Sequence, residues 1–494
     1  MTATRVLKTQ GMDGGLRLEA HTARSTAQPI AMAAAPREAV LPLDQHAGNP
    51  ARPIVRVGDC VRRGQPIAEP ASDLSAWLHA PISGTVAAIE PRPAPHHGGA
   101  AAPSIVIASD GLDTAFEHEA LGDRYRELAA ADLCEHIARG GIVGLGGAAF
   151  PTAVKLDNNP AGLPRRLLIN GAECEPYISC DHMLMRERAA DVIYGARVLA
   201  HALSAPECVI ALEADAVAAE QALRAALAGE SQGALRIEIV PTRYPAGGER
   251  QLIAQVFGQE VPAGGLPSDI GVLCQNVGTA AAIAQWVRDG EPLIGRIVTV
   301  TGDGVHHPRN VFARLGTPFA QLIDECGGFT PRAAQLIMGG TMMGIAVPDA
   351  HLPIVKATNC IIAASPLDLQ PRAAEMPCIR CGNCSEACPA RLLPQQLHAF
   401  AQARDLPALE RYGLMDCIEC GCCDYVCPSQ IPLVERFRLA KPELAAHLRM
   451  REDATAARAR FESRNARLER LAAEQKARLE EKRRLARKNA PGAT

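Results

Sequence analysis

Two short cysteine runs constrain this chain more than any other feature. The first reads Cys378-Ile-Arg-Cys381-Gly-Asn-Cys384-Ser-Glu-Ala-Cys388-Pro389, and the second Cys417-Ile-Glu-Cys420-Gly-Cys422-Cys423-Asp-Tyr-Val-Cys427-Pro428. Both follow C-x2-C-x2-C-x3-C-P, offset by 39 residues, and so form an internal repeat. Two-residue gaps let three thiolates wrap one face of an iron–sulfur cubane, while the fourth cysteine points away to the partner cluster and the proline stops the ligand loop. That logic assigns one [4Fe–4S] cluster to Cys378, Cys381, Cys384 and Cys427, and a second to Cys388, Cys417, Cys420 and Cys423. Cys422 is then surplus, a buried thiol. A structural zinc site would use two C-x2-C pairs, leaving the eight thiols and the two prolines unexplained. Such a cluster pair forwards single electrons and cannot accept a hydride, so a two-electron donor needs a converter elsewhere in the chain.

The composition frames that expectation. A chain of 494 residues has room for about three or four domains. Its 48% hydrophobic and 21% charged content suits a globular protein. With 3% aromatic residues, stacking on nucleic-acid bases is not its business. No apolar run approaches the roughly 18–20 residues of a membrane span, and the N-terminus lacks the apolar core of a signal peptide. The expected compartment is the cytoplasm, where clustered cysteines mean metal or redox chemistry. Residues 451–490 hold 13 Lys/Arg against 7 Asp/Glu, a basic tail on a mildly acidic body. A solvated helix with internal ion pairs, or contact with acidic lipid or a partner subunit, would suit that tail.

Organisation follows from the hydrophobic pattern. Residues 1–37 show no sustained period. From 38 to 103 short β segments alternate with Gly and Pro turns, as in a small β sandwich, and Pro91–Pro103 reads as a linker carrying His96 and His97. Over 130–290, Leu167–Ile169, Cys208–Leu212 and Leu235–Val240 read as strands, with helical faces at Met185–Leu203 and Val217–Leu227 between them. This βαβαβ rhythm predicts a mainly parallel, Rossmann-like sheet. β signals return over 291–345, the cysteine runs occupy 366–440, and 443–494 reads as a charged helix.

A candidate converter lies just before the first strand of the α/β region. Gly140-Gly-Ile-Val-Gly144-Leu-Gly146-Gly147-Ala-Ala-Phe150-Pro151-Thr152-Ala-Val-Lys155 is dense in glycine, which lets backbone N–H groups approach an anion. It is not the dinucleotide fingerprint, because the third glycine is missing and Pro151 follows at once. Asn170-Gly-Ala-Glu173-Cys174-Glu175-Pro176 follows at a strand end, where α/β sheets place ligands. Tyr244-Pro-Ala-Gly247-Gly248-Glu249 and Cys274-Gln-Asn276-Val-Gly278-Thr279 occupy two more such ends.

These segments resemble the FMN/NADH-binding subunit of respiratory complex I. The matching positions are Gly144, Gly146, Gly147, Phe150, Lys155, Asn170, Glu173, Glu175, Tyr244, Gly247, Glu249, Asn276 and Thr279; Leu145, Ala149, Ala172 and Gly248 depart from that pattern. The stretch VRVGDCVRRGQPIAEP…HAPISGTVAAIE resembles a biotinyl/lipoyl-like barrel-sandwich hybrid, without a lysine between Val40 and Glu90 to carry a group. GRIVTVTGDGVHHPRNVFARLGTPFAQLIDECGGF is similar to a β-grasp module of the SLBB kind. In this order the parts resemble the RnfC family, found in the Rnf complex and in the similar Rsx complex. The resemblance implies a multidomain α/β protein with a barrel-sandwich hybrid, a flavin-binding core, an SLBB module, a ferredoxin-type 2[4Fe–4S] domain and a charged tail. It further implies noncovalent FMN, with Gly144, Gly146, Gly147 and Lys155 on the phosphate and Asn170, Glu173 and Asn276 on ring and ribitol. NADH or NAD+ would stack near Phe150, oriented by Glu175 and Glu249, with hydride transfer achieved by positioning and no acid or base. Implied partners are the membrane and iron–sulfur subunits of the complex and a ferredoxin-type protein, at the cytoplasmic face of the inner membrane. The alternative is a non-catalytic relay and docking subunit without a working flavin site.

Overall fold

A computed structural model describes residues 12–95, 100–157, 165–228, 235–369 and 373–488. The chain forms two units, Met1–Leu392 with Asp416–Ile431, and Leu393–Met415 with Pro432–Thr494. His96 and His97 lie outside the described residues.

The first unit begins with a segment that is less irregular than its composition suggests. The Leu16 N–H donates to the Tyr244 carbonyl at 2.8 Å, that of Gly15 to Ala387 at 2.9 Å, and that of Tyr177 to Ala20 at 2.8 Å. Backbone pairing of this kind needs no periodic side chains, which is why pattern alone missed it. A four-stranded antiparallel sheet follows, in the order Glu38–Pro42, Ala101–Ser109, Gly84–Pro93, Cys60–Val61. A three-stranded sheet of Arg52–Pro53, Pro66–Glu69 and Leu78–His79 accompanies it. The expected linker is here corrected: Pro91 pairs with Pro103, Arg92 with Ala102 and Pro93 with Ala101, as the far arms of a long hairpin. Proline lacks only the donor, and a hairpin end tolerates that loss.

The α/β core is a four-stranded parallel sheet in the order Leu235–Val240, Glu207–Glu213, Arg166–Gly171, Val272–Asn276. Its central strands are apolar on both faces because helices cover both. Leu167, Ile169, Ile210 and Leu212 face one core with helices Ala189–Leu203 and Val277–Asp289. Leu168, Val209 and Ala211 face the other, with Leu252 and Ile253 from helix Glu249–Phe257. The two covering helices on the first face touch so closely that a Cβ at Gly195 would sit 1.8 Å from the Ala280 carbonyl oxygen.

A six-stranded mixed sheet follows, ordered Ala31–Met32, Arg309–Arg314, Gly295–Thr301, Cys360–Ala364, Gln335–Met338, Ile345–Val347. It exceeds the expected 291–345 module at both ends. Cys360–Ala364 is a buried interior strand, and Ala31–Met32 joins the edge from far upstream. Val298, Val300, Phe319, Leu322 and Ile323 of this region share one hydrophobic core with Leu41, Ile67, Ile82, Ile105 and Ile107 of the sandwich.

In the second unit, helices Pro394–Ala403 and Leu406–Arg411 pack against a helix running from Leu433 to Lys488. The charged tail was expected from 443 and starts ten residues earlier, because Pro442 is accommodated inside the helix. The expected 366–440 ferredoxin region is likewise interrupted, since Leu393–Met415 belongs to this second unit. Among the described residues no helix is long and apolar enough to cross a membrane.

Candidate functional site

Strand order reverses between Arg166–Gly171 and Val272–Asn276: the chain leaves the first towards one sheet edge and returns as the second on its other side. Crevices at such switch points, at the carboxyl ends of the strands, are where open α/β sheets bind ligands. Asn170 and Asn276 are register partners at that edge. Asn276 caps helix Val277–Asp289 by accepting from the Gly278 N–H at 2.8 Å, so the helix's positive end opens there.

The glycine loop is fixed over the same edge. Gly144 N–H donates to the Phe150 carbonyl at 2.8 Å and Ala149 N–H to that of Gly144 at 3.1 Å, closing the loop on itself. Thr279 ties it to the helix, its Oγ1 accepting from Leu145 N–H at 2.9 Å and donating to the Val143 carbonyl at 3.3 Å. A Cβ at Gly146 would lie 3.4 Å from the Asn276 Cβ, whereas at Gly147, with φ of +110°, it would meet nothing within 4 Å. Among the described residues, the N–H groups of Gly146, Gly147 and Ala148 have no acceptor, and all three residues are exposed. Three outward amides beside a helix N-terminus fit a phosphate.

The other expected residues gather at this sheet edge, but with their polar atoms engaged by the protein. Asn170 donates to the Gly247 carbonyl at 2.8 Å and accepts from Ala172 N–H at 3.0 Å. Lys155 was expected to neutralise phosphate; its ammonium instead pairs with Glu249 at 3.0 Å and donates to the Cys274 carbonyl at 3.3 Å. Glu173 accepts from the Asp181 and His182 N–H groups at 3.0 and 2.9 Å, capping helix Cys180–Glu187. Burial and the neighbouring Asp181 push its pKa up to about 8. Glu175 accepts from the N–H groups of Met342 and Met343 at 2.7 and 3.0 Å, binding the strand end to the Gly-Gly-Thr-Met-Met-Gly turn, and burial raises its pKa. The Phe150 residue is half-buried at the foot of the loop.

Glu173, Glu175 and Tyr244 line a cavity of about 310 Å3 together with Arg17, Glu19 and Glu213. Sequence reasoning missed Glu213, which ends strand Glu207–Glu213; its Oε1 has no partner among the described residues, and burial lifts its pKa to about 8. It also missed Arg296 and Lys356, two buried cations of the mixed sheet. A lone cation inside an apolar run, as in Gly295-Arg-Ile-Val-Thr-Val and Pro353-Ile-Val-Lys-Ala, was the signal available.

The cysteine runs repeat in backbone as well as in sequence. Arg380 and Glu419 have φ of 56° and 58°, Gly382 and Gly421 of 89° and 80°, and Arg391 and Gln430 of 54° and 53°. Short helices Asn383–Glu386 and Cys422–Tyr425 occupy equivalent places and pack together. Each left-handed residue lets the chain turn back on the sulfurs. Cys378 and Cys381 are exposed, Cys420 and Cys423 buried, and Cys384, Cys388, Cys417 and Cys427 in between. Cys422 is fully buried, packed with Tyr244, Ala387 and Cys420. The Tyr244 hydroxyl donates to the Cys420 carbonyl.

Four domain families match in the order of these parts. The RnfC barrel sandwich hybrid domain matches residues 10–112, the Nuo51 FMN-binding domain 137–285, the SLBB domain 297–346 and the 4Fe-4S dicluster domain 377–431. FMN and iron–sulfur chemistry are therefore supported by family as well as by geometry. The RnfC subunit of the ion-translocating oxidoreductase complex of Pseudomonas aeruginosa is 50% identical over 457 residues, covering 92% of this chain and 58% of that protein. Its counterpart from Serratia proteamaculans is 44% identical, covering 93% of this chain and 64% of its own length. This chain thus spans about three fifths of the length of these relatives. A solved NAD+-reducing [NiFe]-hydrogenase in the H2-reduced state aligns at 17% identity with a TM-score of 0.44, over 67% of this chain and 66% of that one. From its identity to these relatives and its matching domains, the chain belongs to the RnfC family of ion-translocating oxidoreductase complex subunits.

Proposed function

We propose that this chain is the peripheral electron-entry subunit of a membrane-bound ion-translocating complex. It exchanges electrons between NADH, noncovalently held FMN and two [4Fe–4S] clusters, towards or from a ferredoxin-type partner. The observation that carries this reading is the segment Tyr244–Glu249. Its Gly247 carbonyl holds Asn170 at the switch point, its Glu249 holds Lys155, and its Tyr244 hydroxyl reaches the second cysteine run. One short loop therefore touches both the anion-ready edge and the sulfur ligands.

Gly146, Gly147 and the amino end of Val277–Asp289 would receive the FMN phosphate through backbone amides. Asn170, Glu173, Asn276 and Thr279 shape the walls, each held by its own hydrogen bonds. Phe150, Glu175 and Glu249 would position the nicotinamide. FMN supplies the conversion between two-electron and one-electron chemistry. Cys378, Cys381, Cys384 and Cys427 would hold one cluster, and Cys388, Cys417, Cys420 and Cys423 the other, sites for single electrons. Among the described residues no three of these thiols lie within 4.8 Å of one another, whereas one tetrahedral zinc, with Zn–S near ~2.3 Å, would draw its sulfurs inside that distance. Ion movement would reside in partner subunits, with this chain at the cytoplasmic face of the inner membrane.

Anaerobic reconstitution of the purified chain tests the reading. A flavin absorbance band bleached by NADH, with about eight irons per chain, supports it. Intact clusters with neither flavin nor response to NADH would leave a relay and docking subunit instead.

A further inference from the structure

We propose that Arg296 and Lys356 are positioning residues that turn the glycine loop's amides outward and so set the protein's preference for a phosphorylated flavin. This rests on the FMN reading above and deepens it.

The hydrogen bonds of the loop's carbonyls carry the inference. The Gly140 oxygen accepts from Leu293 N–H at 3.0 Å, Ile142 from Thr152 N–H at 3.1 Å, and Gly144 from Ala149 N–H at 3.1 Å. That of Val143 accepts from Thr279 Oγ1. The two remaining carbonyls are held by buried cations from outside the α/β core: Gly141 by Lys356 Nζ at 2.7 Å and Leu145 by an Arg296 Nη at 2.9 Å. Every carbonyl from Gly140 to Leu145 is thus drawn towards the protein, and the free amides begin at the next residue. A trans peptide places its C=O and N–H on opposite sides. With the Leu145 oxygen drawn in by Arg296, the Gly146 N–H must face out.

The two cations act as one clasp. Another Arg296 nitrogen donates to the Lys356 carbonyl, and Lys356 Nζ also donates to the Trp77 carbonyl of the sandwich at 2.7 Å. Lys356 N–H in turn donates to Gln45 Oε1 at 3.1 Å. Arg296 and Lys356 are 4% and 1% exposed, so neither can serve as a surface charge. Arg296 has Asp181 and Glu173 nearby as compensating anions. Burying two cations is costly unless their donors are used, and here they are used on backbone oxygens that no ligand touches. Neither cation needs to reach a ligand itself; the effect passes through the peptide planes of Gly141 and Leu145.

The test is flavin binding by the full chain, comparing FMN with riboflavin, which lacks the phosphate, by quenching of flavin fluorescence. Wild type should prefer FMN. Arg296→Gln and Lys356→Met should each weaken FMN about tenfold while leaving riboflavin unchanged. Arg296→Lys keeps the charge with fewer donors and should fall between, which retains a reading if Arg296→Gln does not fold. An equal loss for both flavins in the folded variants assigns these residues to general stability and overturns the inference. A wild-type preference that survives every substitution also overturns it, leaving the FMN reading intact. A wild type with no preference for FMN overturns the phosphate reading of the loop, and this inference with it.

Discussion

Thr279 is the most informative single residue in the flavin-type edge, because one hydroxyl serves the glycine loop twice. It is buried, and so are its partners Val143 and Leu145. Thr279→Val keeps the shape and removes both hydrogen bonds. The Leu145 N–H, at 2.9 Å from the lost oxygen, is left as a buried unpaired donor, which costs about 1–3 kcal/mol. The longer bond to the Val143 carbonyl adds about 0.5–1 kcal/mol. A loop strained by about 2–3 kcal/mol opens locally before the domain unfolds, and the competent loop population falls with it. The FMN dissociation constant should therefore rise between about tenfold and a hundredfold. Flavin fluorescence titration measures this directly, with circular dichroism to show that the fold is kept. Thr279→Ser is the control: it keeps the hydroxyl, loses one methyl at about 1 kcal/mol, and should hold FMN nearly as well as wild type. Wild-type affinity in the valine variant, or serine as damaging as valine, would refute the reasoning.

Four other outcomes follow from the same structure. Gly195→Ala should destabilise by more than the ~1–3 kcal/mol usual for overpacking, since its Cβ meets backbone at 1.8 Å; a denaturation midpoint equal to wild type refutes it. Cys422→Ala should keep about eight irons per chain and Cys423→Ala should lose about half, and equal iron in the two would overturn the ligand assignment. Tyr244→Phe should cost about 1 kcal/mol and speed iron loss in air, because the Cys420 carbonyl loses its donor; unchanged iron-release kinetics count against that link. Burial lowers the Lys356 pKa to about 7, so between pH 7 and 10 the unfolded chain binds the extra proton and folding stability rises with pH. Wild type should gain on Lys356→Met by up to about 1.4 kcal/mol per pH unit over that range, and a gap in urea unfolding that stays flat would sink the idea.

The sequence made some of this legible and hid the rest for physical reasons. Leu167–Ile169 and Cys208–Leu212 are apolar without interruption because both sheet faces are covered, so the parallel core shows as plain runs. The cysteine spacing is dictated by the geometry of a cubane and survives any context. The segments Asn170–Pro176, Tyr244–Glu249 and Asn276–Thr279 stand at strand ends, where glycines and polar residues interrupt an apolar pattern. Which atoms those side chains bond was not legible: Lys155 and Glu175 have their partners at Glu249 and at Met342–Met343, far along the chain. Arg296 and Lys356 escaped for the same reason, since a buried cation is explained only by carbonyls brought to it through tertiary structure. Pro91–Pro103 misled because composition reports turns but not the partner strand that makes a hairpin of them.

The shared core of the sandwich and the mixed sheet bears on how such a protein can be cut and rejoined. Four domain families can be drawn along this chain as if each were a bead, yet Ile105 and Phe319 belong to one hydrophobic interior, and Lys356 ties Trp77 to Gly141. Units of inheritance and units of cooperativity do not coincide here. Separating the segments at their sequence borders would leave the Gly141 and Leu145 oxygens without their donors and would split the interior that the sandwich shares with the mixed sheet. A transplant of this electron-entry function into another protein would have to carry residues 38–364 as a single piece.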